Sequence, residues 1–296
     1  MKKPIRFFFL ISASFVFIAF LVLLGGSLFL HKFLEETLDP NITYVQSVKA
    51  LLIQNANGES ERRIKEISVH ENHQHITIYY EENFAALLPL TKETLDLAIA
   101  KNEKLFGEVR LAPVDLLVFE DLKKLRGFSE LENIDGFYSD FDKVLAFHNS
   151  NKELILAKDK IAMYAFQKML LHEYTHYVFS QKVQNPATYP IWFIEGIAEY
   201  VGTDPNEVSF PYFEKISFEQ LTSSEQWQEA RTLVMSDPYL QSYYTFEFLT
   251  TNYEEQVIRE IIELVEETQD FEESFTEVTG LTLHELEKVF LNSYKN

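Results

Sequence analysis

Hydrophobic residues along this chain change their spacing several times, and each change predicts an element. Residues 7–30 form one apolar run without a charged side chain. At 1.5 Å per residue it is long enough to cross a bilayer core as a single helix. Near residue 64 the period falls to two: Ile64-Lys65-Glu66-Ile67-Ser68-Val69 and His75-Ile76-Thr77-Ile78-Tyr79-Tyr80 predict two strands joined by a polar turn. A helix is expected over Lys92–Phe106, then short apolar strands at Val114–Phe119 and Lys143–His148. The stretch Lys158–Val183 contains neither Gly nor Pro. Its apolar residues Ile161, Ala165, Phe166, Met169, Leu170, Val178 and Phe179 occupy much of a helix circumference, the mark of a buried central helix. Asn185-Pro186 and Tyr189-Pro190 end it and permit a reversal, after which a second helix starts at Ile191 and stops near Gly202. From Tyr239 onward the pattern is helical, with an Ile/Val stripe between Glu254 and Glu267. Strands first and helices after predict an α+β fold.

The charges beside the N-terminal run orient it. Lys2, Lys3 and Arg6 precede it and only Lys32 follows closely, and an excess of cations marks the cytoplasmic side. The expectation is a single-pass helix in the cell membrane, with the N-terminus in the cytoplasm and the remainder outside. A cleaved signal peptide usually has an apolar region of about 7–15 residues and a small-residue cleavage site; this run is longer and has no such site. Residues 1–30 are therefore read as stub and transmembrane anchor, and 31–62 as a stalk broken at Asp39-Pro40 and Asn55-Ala56-Asn57-Gly58. Residues 63–296 are read as one extracellular domain. The chain has no cysteine, so an exported domain must hold together without disulfides. Its 46 acidic residues outnumber 26 basic ones, for a formal charge of −20. Such a surface disfavours nucleic acid as a partner.

One constellation carries chemistry. His172-Glu173-Tyr174-Thr175-His176 lies within the central helix, and Glu195 follows eighteen residues later. Residues i and i+4 project from one helical face, so His172 and His176 can bind one zinc ion with Glu173 beside it as a base. If the second helix returns alongside, Glu195 supplies a third ligand, and three protein ligands with one open position is the layout of a catalytic zinc. The stretch Trp192, Glu195, Gly196, Ala198 around that third ligand resembles the gluzincins, the thermolysin-like and aminopeptidase-like zinc peptidases. The resemblance implies a catalytic domain with a small mixed β-sheet lobe, a central HExxH helix and a C-terminal helical lobe. It also implies that Glu199 holds the free ring nitrogen of His172 and that a downstream tyrosine stabilises the oxyanion. Tyr239 is the candidate, with Tyr243 and Tyr244 as rivals. In such folds an edge strand above the cleft pairs with extended substrate, and Lys143–His148 is the expected edge, which makes His148 a candidate, though not the expected, substrate contact. His70, His73 and His75 straddle a turn without a neighbouring Cys and are not expected to form a second metal site.

The chain therefore reads as a membrane-anchored extracellular zinc peptidase acting on a peptide or protein substrate. His172, His176 and Glu195 are the ligands, Glu173 the base and Tyr239 the oxyanion donor. It has no stretch like the G-x-M-E-N motif with which aminopeptidase relatives hold a free amino terminus, which favours an endopeptidase over an aminopeptidase. A catalytically inactive binding module on the same fold is the other reading, and the retained Glu173 counts against it.

Overall fold

The computed structural model describes residues 22–34, 43–53, 58–129, 134–207 and 213–293. The chain divides into two compact units, one comprising residues up to Ser68 together with 140–143, the other Val69–Ser139 and Val144 onward. The first unit is helical, with α1 over residues 22–34, α2 over Tyr44–Ile53 and α3 over Glu59–Ile67. Ser27 Oγ lies 2.6 Å from Tyr44 Oη and His31 Nδ1 lies 3.0 Å from Ser47 Oγ, so α1 and α2 meet through polar groups. The strand expected from Ile64 is instead the end of α3. Ile64 and Ile67 stand three apart, a spacing that suits one helical face, and the i,i+4 pairs Glu61–Lys65 and Arg62–Glu66 support the helix. Among the described residues no helix is long and apolar enough to cross a membrane. Most of the expected anchor, residues 7–21, lies outside them, as do parts of the expected stalk. Within α1, Val22, Leu23, Leu28, Phe29 and Phe33 are exposed.

The second unit starts with a hairpin, β1 (Val69–His73) and β2 (Ile76–Tyr80), turning at Gln74 with φ +54°. Helix α4 (Leu88–Phe106) then leads to β3 (Val114–Phe119), followed by α5 (Leu122–Ser129), β4 (Gly136–Ser139) and β5 (Val144–His148). The sheet order is β1-β2-β3-β5-β4. Strands β2, β3 and β5 run parallel, and the two outer strands run antiparallel to their neighbours. This is a small mixed sheet in an α+β fold, as expected. A parallel strand covered on both faces reads as a continuous apolar run, which is why β3 was legible in the sequence at its observed bounds. The expected edge was not. Strand β5 is flanked by β3 on one side and β4 on the other, and the edge is β4, Gly136-Phe137-Tyr138-Ser139. Four half-buried residues without alternation offered no strand signal.

The rest of this unit is helical. A short α6 (Lys152–Leu156) precedes α7 (Lys160–Lys182) and α8 (Ile191–Gly202); α9 (Ser224–Thr232), α10 (Pro238–Tyr253), α11 (Gln256–Thr268), α12 (Phe271–Thr279) and α13 (Leu283–Ser293) complete it. Helix α7 starts where Asp159 accepts the Ala162 amide at 2.9 Å. Helix α8 has no side-chain cap; its first amides, Ile191 and Trp192, donate to the carbonyls of Thr222 and Leu221. Trp192 and Phe193 are fully buried, with ring contacts to Phe246 and Phe271. This aromatic cluster fixes α8 between α7 and α10. The approach to α10 is close: a Cβ on Gly196 would lie 2.5 Å from Cε2 of the buried Phe246 ring. Gly196→Ala is therefore expected to destabilise the domain by about 2 kcal/mol through overpacking, seen as a fall of roughly 5 °C in thermal unfolding. An unchanged melting temperature would show that α8 and α10 can separate freely.

Candidate active site

Helix α7 projects His172 and His176 from one face, and α8 returns antiparallel to bring Glu195 against them. The two Nε2 atoms are 3.0 Å apart, and Glu195 Oε2 lies 3.3 Å from His172 Nε2 and 3.6 Å from His176 Nε2. Bonds of 2.0–2.1 Å to a tetrahedral ion place ligand atoms about 3.4 Å apart, so the three atoms already stand near the spacing that a zinc-sized ion imposes. Among the described residues this is the one group of three such side chains able to hold a metal. The side chains of His172, His176 and Glu195 are 12%, 17% and 20% exposed. The group thus borders solvent.

The electrostatics favour positive charge at this point. Burial alone would lower the pKa of His172, but hydrogen bonds to Glu195 and Glu199 outweigh it and hold the imidazole well above its ordinary value. Burial would raise Glu195, yet His176 and His172 hold its carboxyl well below the usual carboxylate range. Carboxylates that draw a proton onto His172 would draw a divalent cation by the same attraction.

Around these three, the remaining side chains take distinct places. Glu199 is buried; its Oε1 accepts from His172 Nδ1 at 3.1 Å and its Oε2 from Lys168 Nζ at 2.7 Å. Against the opposing effect of burial, His172 and Lys168 keep its carboxyl low. Glu173 is pushed up by burial, partly offset by His172 and His176. It faces β4, since a Cβ on Gly136 would lie 3.3 Å from both Cγ and Oε1 of Glu173. The half-buried Tyr239 ring is 6.3 Å from the His172 ring, packed on Trp227 and beneath the Arg231 guanidinium. Burial, with the Glu195 charge adding, pushes its hydroxyl up to about 12. Tyr243 and Tyr244 go elsewhere: the Tyr243 hydroxyl is turned to Glu247, and Tyr244 stacks with Phe213.

The other histidines do not converge. His70 packs on Tyr79, His73 pairs with Asp96 at 2.8 Å and His75 meets Tyr174 Oη at 3.1 Å. His148 ends β5, opposite Phe119, with its amide donating to the Asp135 carbonyl. Two residues at the site escaped the sequence reading. Lys168 carried a signal, because it precedes His172 by four residues and so shares its face. Gly136 carried none.

Residues 94–296 match the model of the family described as the Peptidase MA superfamily. The chain is 32% identical over 244 residues to a Bacillus subtilis (strain 168) protein described as "Uncharacterized protein YhcO", a match covering 81% of this chain and 76% of that one. Among solved structures it is similar to Legionella pneumophila aminopeptidase A in complex with aspartic acid, with a TM-score of 0.44 and 12% identity. That match covers 76% of this chain and 27% of the other, so the chain spans about a quarter of that protein's length.

The contact of Lys168 with Glu199 yields a prediction for metal binding. Lys168→Met leaves the three candidate ligands intact but frees the carboxylate that holds His172. It is expected to weaken zinc binding about tenfold in a chelator-competition titration. An unaltered zinc Kd would mean that packing alone orients Glu199.

Proposed function

The chain belongs to the Peptidase MA superfamily, and on that premise we propose that it is a zinc-dependent peptidase using His172, His176 and Glu195 as ligands. The observation that carries this reading is the convergence of three ligand atoms at near-tetrahedral spacing, with the carboxylate of Glu173 beside them and outside the set. Two imidazoles and one carboxylate, in a group that borders solvent, suit a catalytic rather than a structural zinc. When bound, zinc polarises the substrate carbonyl and lowers the pKa of water.

The chain's own residues perform the remaining work. Glu173 takes the proton of the attacking water and delivers it to the departing amine; burial raises its pKa towards the range where a carboxylate both accepts and releases a proton. Glu199 holds the Nδ1–H of His172, which commits Nε2 to the metal. Lys168 in turn holds Glu199. The Tyr239 hydroxyl, kept protonated by its raised pKa, donates to the carbonyl oxygen as that oxygen gains charge. Strand β4 lies against Glu173 and stands at an edge of the sheet among the described strands. An extended peptide can add to that edge through main-chain hydrogen bonds, which presents its backbone to the metal side. The absence of a G-x-M-E-N-like stretch supports internal rather than amino-terminal cleavage. The apolar run over residues 7–30, preceded by Lys2, Lys3 and Arg6, supports a membrane-anchored protein with this domain outside the cell.

Digestion of a peptide library by the full chain, with and without chelator, tests the activity. Glu173→Gln is expected to retain about one zinc per chain while turnover falls by about 10³-fold; full activity in this variant removes Glu173 from the mechanism. Tyr239→Phe is expected to lower kcat about 10²-fold with zinc content unchanged. A loss at Tyr243→Phe instead would transfer the oxyanion role to that residue.

A further inference from the structure

The corner between α6 and α7 carries exposed aliphatic side chains among lysines. Leu154, Leu156 and Ile161 are 50%, 48% and 78% exposed. Lys152, Lys158 and Lys160 stand between and beside them in sequence. Single exposed aliphatics are ordinary, but several gathered on one tight corner mark a surface that meets something other than water.

The corner has a fixed shape. The Asp159 amide donates to the Leu154 carbonyl at 2.9 Å and the Lys158 amide to the Ile155 carbonyl at 2.9 Å, the paired bonds of a Schellman turn that closes α6. Lys158 takes the left-handed position of that turn, with φ +62°, where a glycine would be free of steric strain. A charged side chain is thus held out to solvent at a position that favours having none. The Asp159 carboxylate then accepts the Ala162 amide and starts α7.

The charges select the partner. The chain has a formal charge of −20, which opposes approach to anionic headgroups over much of its surface. At this corner the balance reverses: three lysines stand against Glu153 and Asp159, and Asp159 is committed to capping α7. Ile161 protrudes, whereas a small molecule would need a concave site. A carboxylate-rich protein would answer the lysines but not the aliphatics. Both are answered at the boundary between acyl chains and phosphates, where apolar tips enter the lipid and ammonium groups reach the headgroups.

We propose that this corner rests on an anionic lipid surface, with Leu154, Leu156 and Ile161 in the acyl boundary and Lys158 and Lys160 on the phosphates. The inference rests on reading residues 7–30 as a membrane anchor: the anchor keeps the domain near the bilayer, and the corner orients it. Along α7, Ile161 and His172 are about 17 Å apart at the rise of a helix. The metal group then works close to the headgroups, within reach of peptide segments that emerge from the membrane.

The chain has no cysteine, so Ile161→Cys in the full chain accepts a single nitrobenzoxadiazole label. The labelled chain is reconstituted into vesicles of phosphatidylcholine with phosphatidylglycerol, and quenching by a nitroxide on the lipid acyl chains is measured. Loss of about half the fluorescence is expected, with much less in phosphatidylcholine alone. Lys158→Glu combined with Lys160→Glu is expected to reduce the quenching to that lower level. Val234, 84% exposed in the turn before α10, is the comparison site, and a label at Val234→Cys is expected to stay unquenched. A chain that floats with the vesicles but is unquenched at 161, is quenched equally at 234, or is indifferent to phosphatidylglycerol overturns the docking and leaves the anchor reading standing. A chain that remains in the aqueous phase overturns both.

Discussion

Two polar stripes on antiparallel helices, pressed together inside an aromatic core, set the geometry of this molecule. On α7 the stripe is Lys168, His172 and His176; on α8 it is Glu195, Glu199 and Gly202, each spaced by a helical turn. They meet in reverse order. Gly202 lies against the Lys168 backbone, where a Cβ would be 3.0 Å from the carbonyl oxygen. Glu199 bridges Lys168 and His172, and Glu195 faces both imidazoles. A larger residue at 202 would push the helices apart and carry Glu195 away from the histidines.

Such a stripe is not what a protein selects for stability. Charged groups withdrawn from water must recover the lost hydration from their partners, and a well-packed apolar replacement is often as stable or better. Here the pairing is complete in one direction only. Lys168, Glu199 and the Nδ1 of His172 satisfy one another, while the two Nε2 atoms and Glu195 Oε2 face a common point that a cation would fill. The core supplies the force that holds this arrangement shut: Trp192 and Phe193 lock α8 from behind through Phe246 and Phe271. The side chains behind the site are aromatic and buried.

Helix α7 thereby serves two surfaces. One face carries the imidazoles towards solvent and β4, and the other packs Tyr174, Thr175 and Val178 towards α4, with Thr175 accepting from Asn102. A helix buried on nearly its whole circumference accounts for the absence of a clean amphipathic pattern over 160–182. It also explains how its polar residues divide between the two sides.

Much of this was legible in the sequence because it depends on local geometry. The i, i+4 spacing of His172 and His176 fixes their common face wherever the helix lies, the prolines at 186 and 190 end the helix and permit a reversal, and the apolar run at Val114–Phe119 reads as a buried strand. Where two periods fit equally well, as at Ile64–Ile67, the reading failed, since spacing by three suits a helix and the charged pairs decided for it. The edge of the sheet was invisible for a different reason. Whether β5 or β4 is outermost depends on which strand finds a second partner, and that is a contact between distant segments. Which of Tyr239, Tyr243 and Tyr244 comes near His172 was likewise left to the packing of α10, and it is the Tyr239 ring that does. Local spacing determines which residues share a face; only packing between elements decides which faces meet.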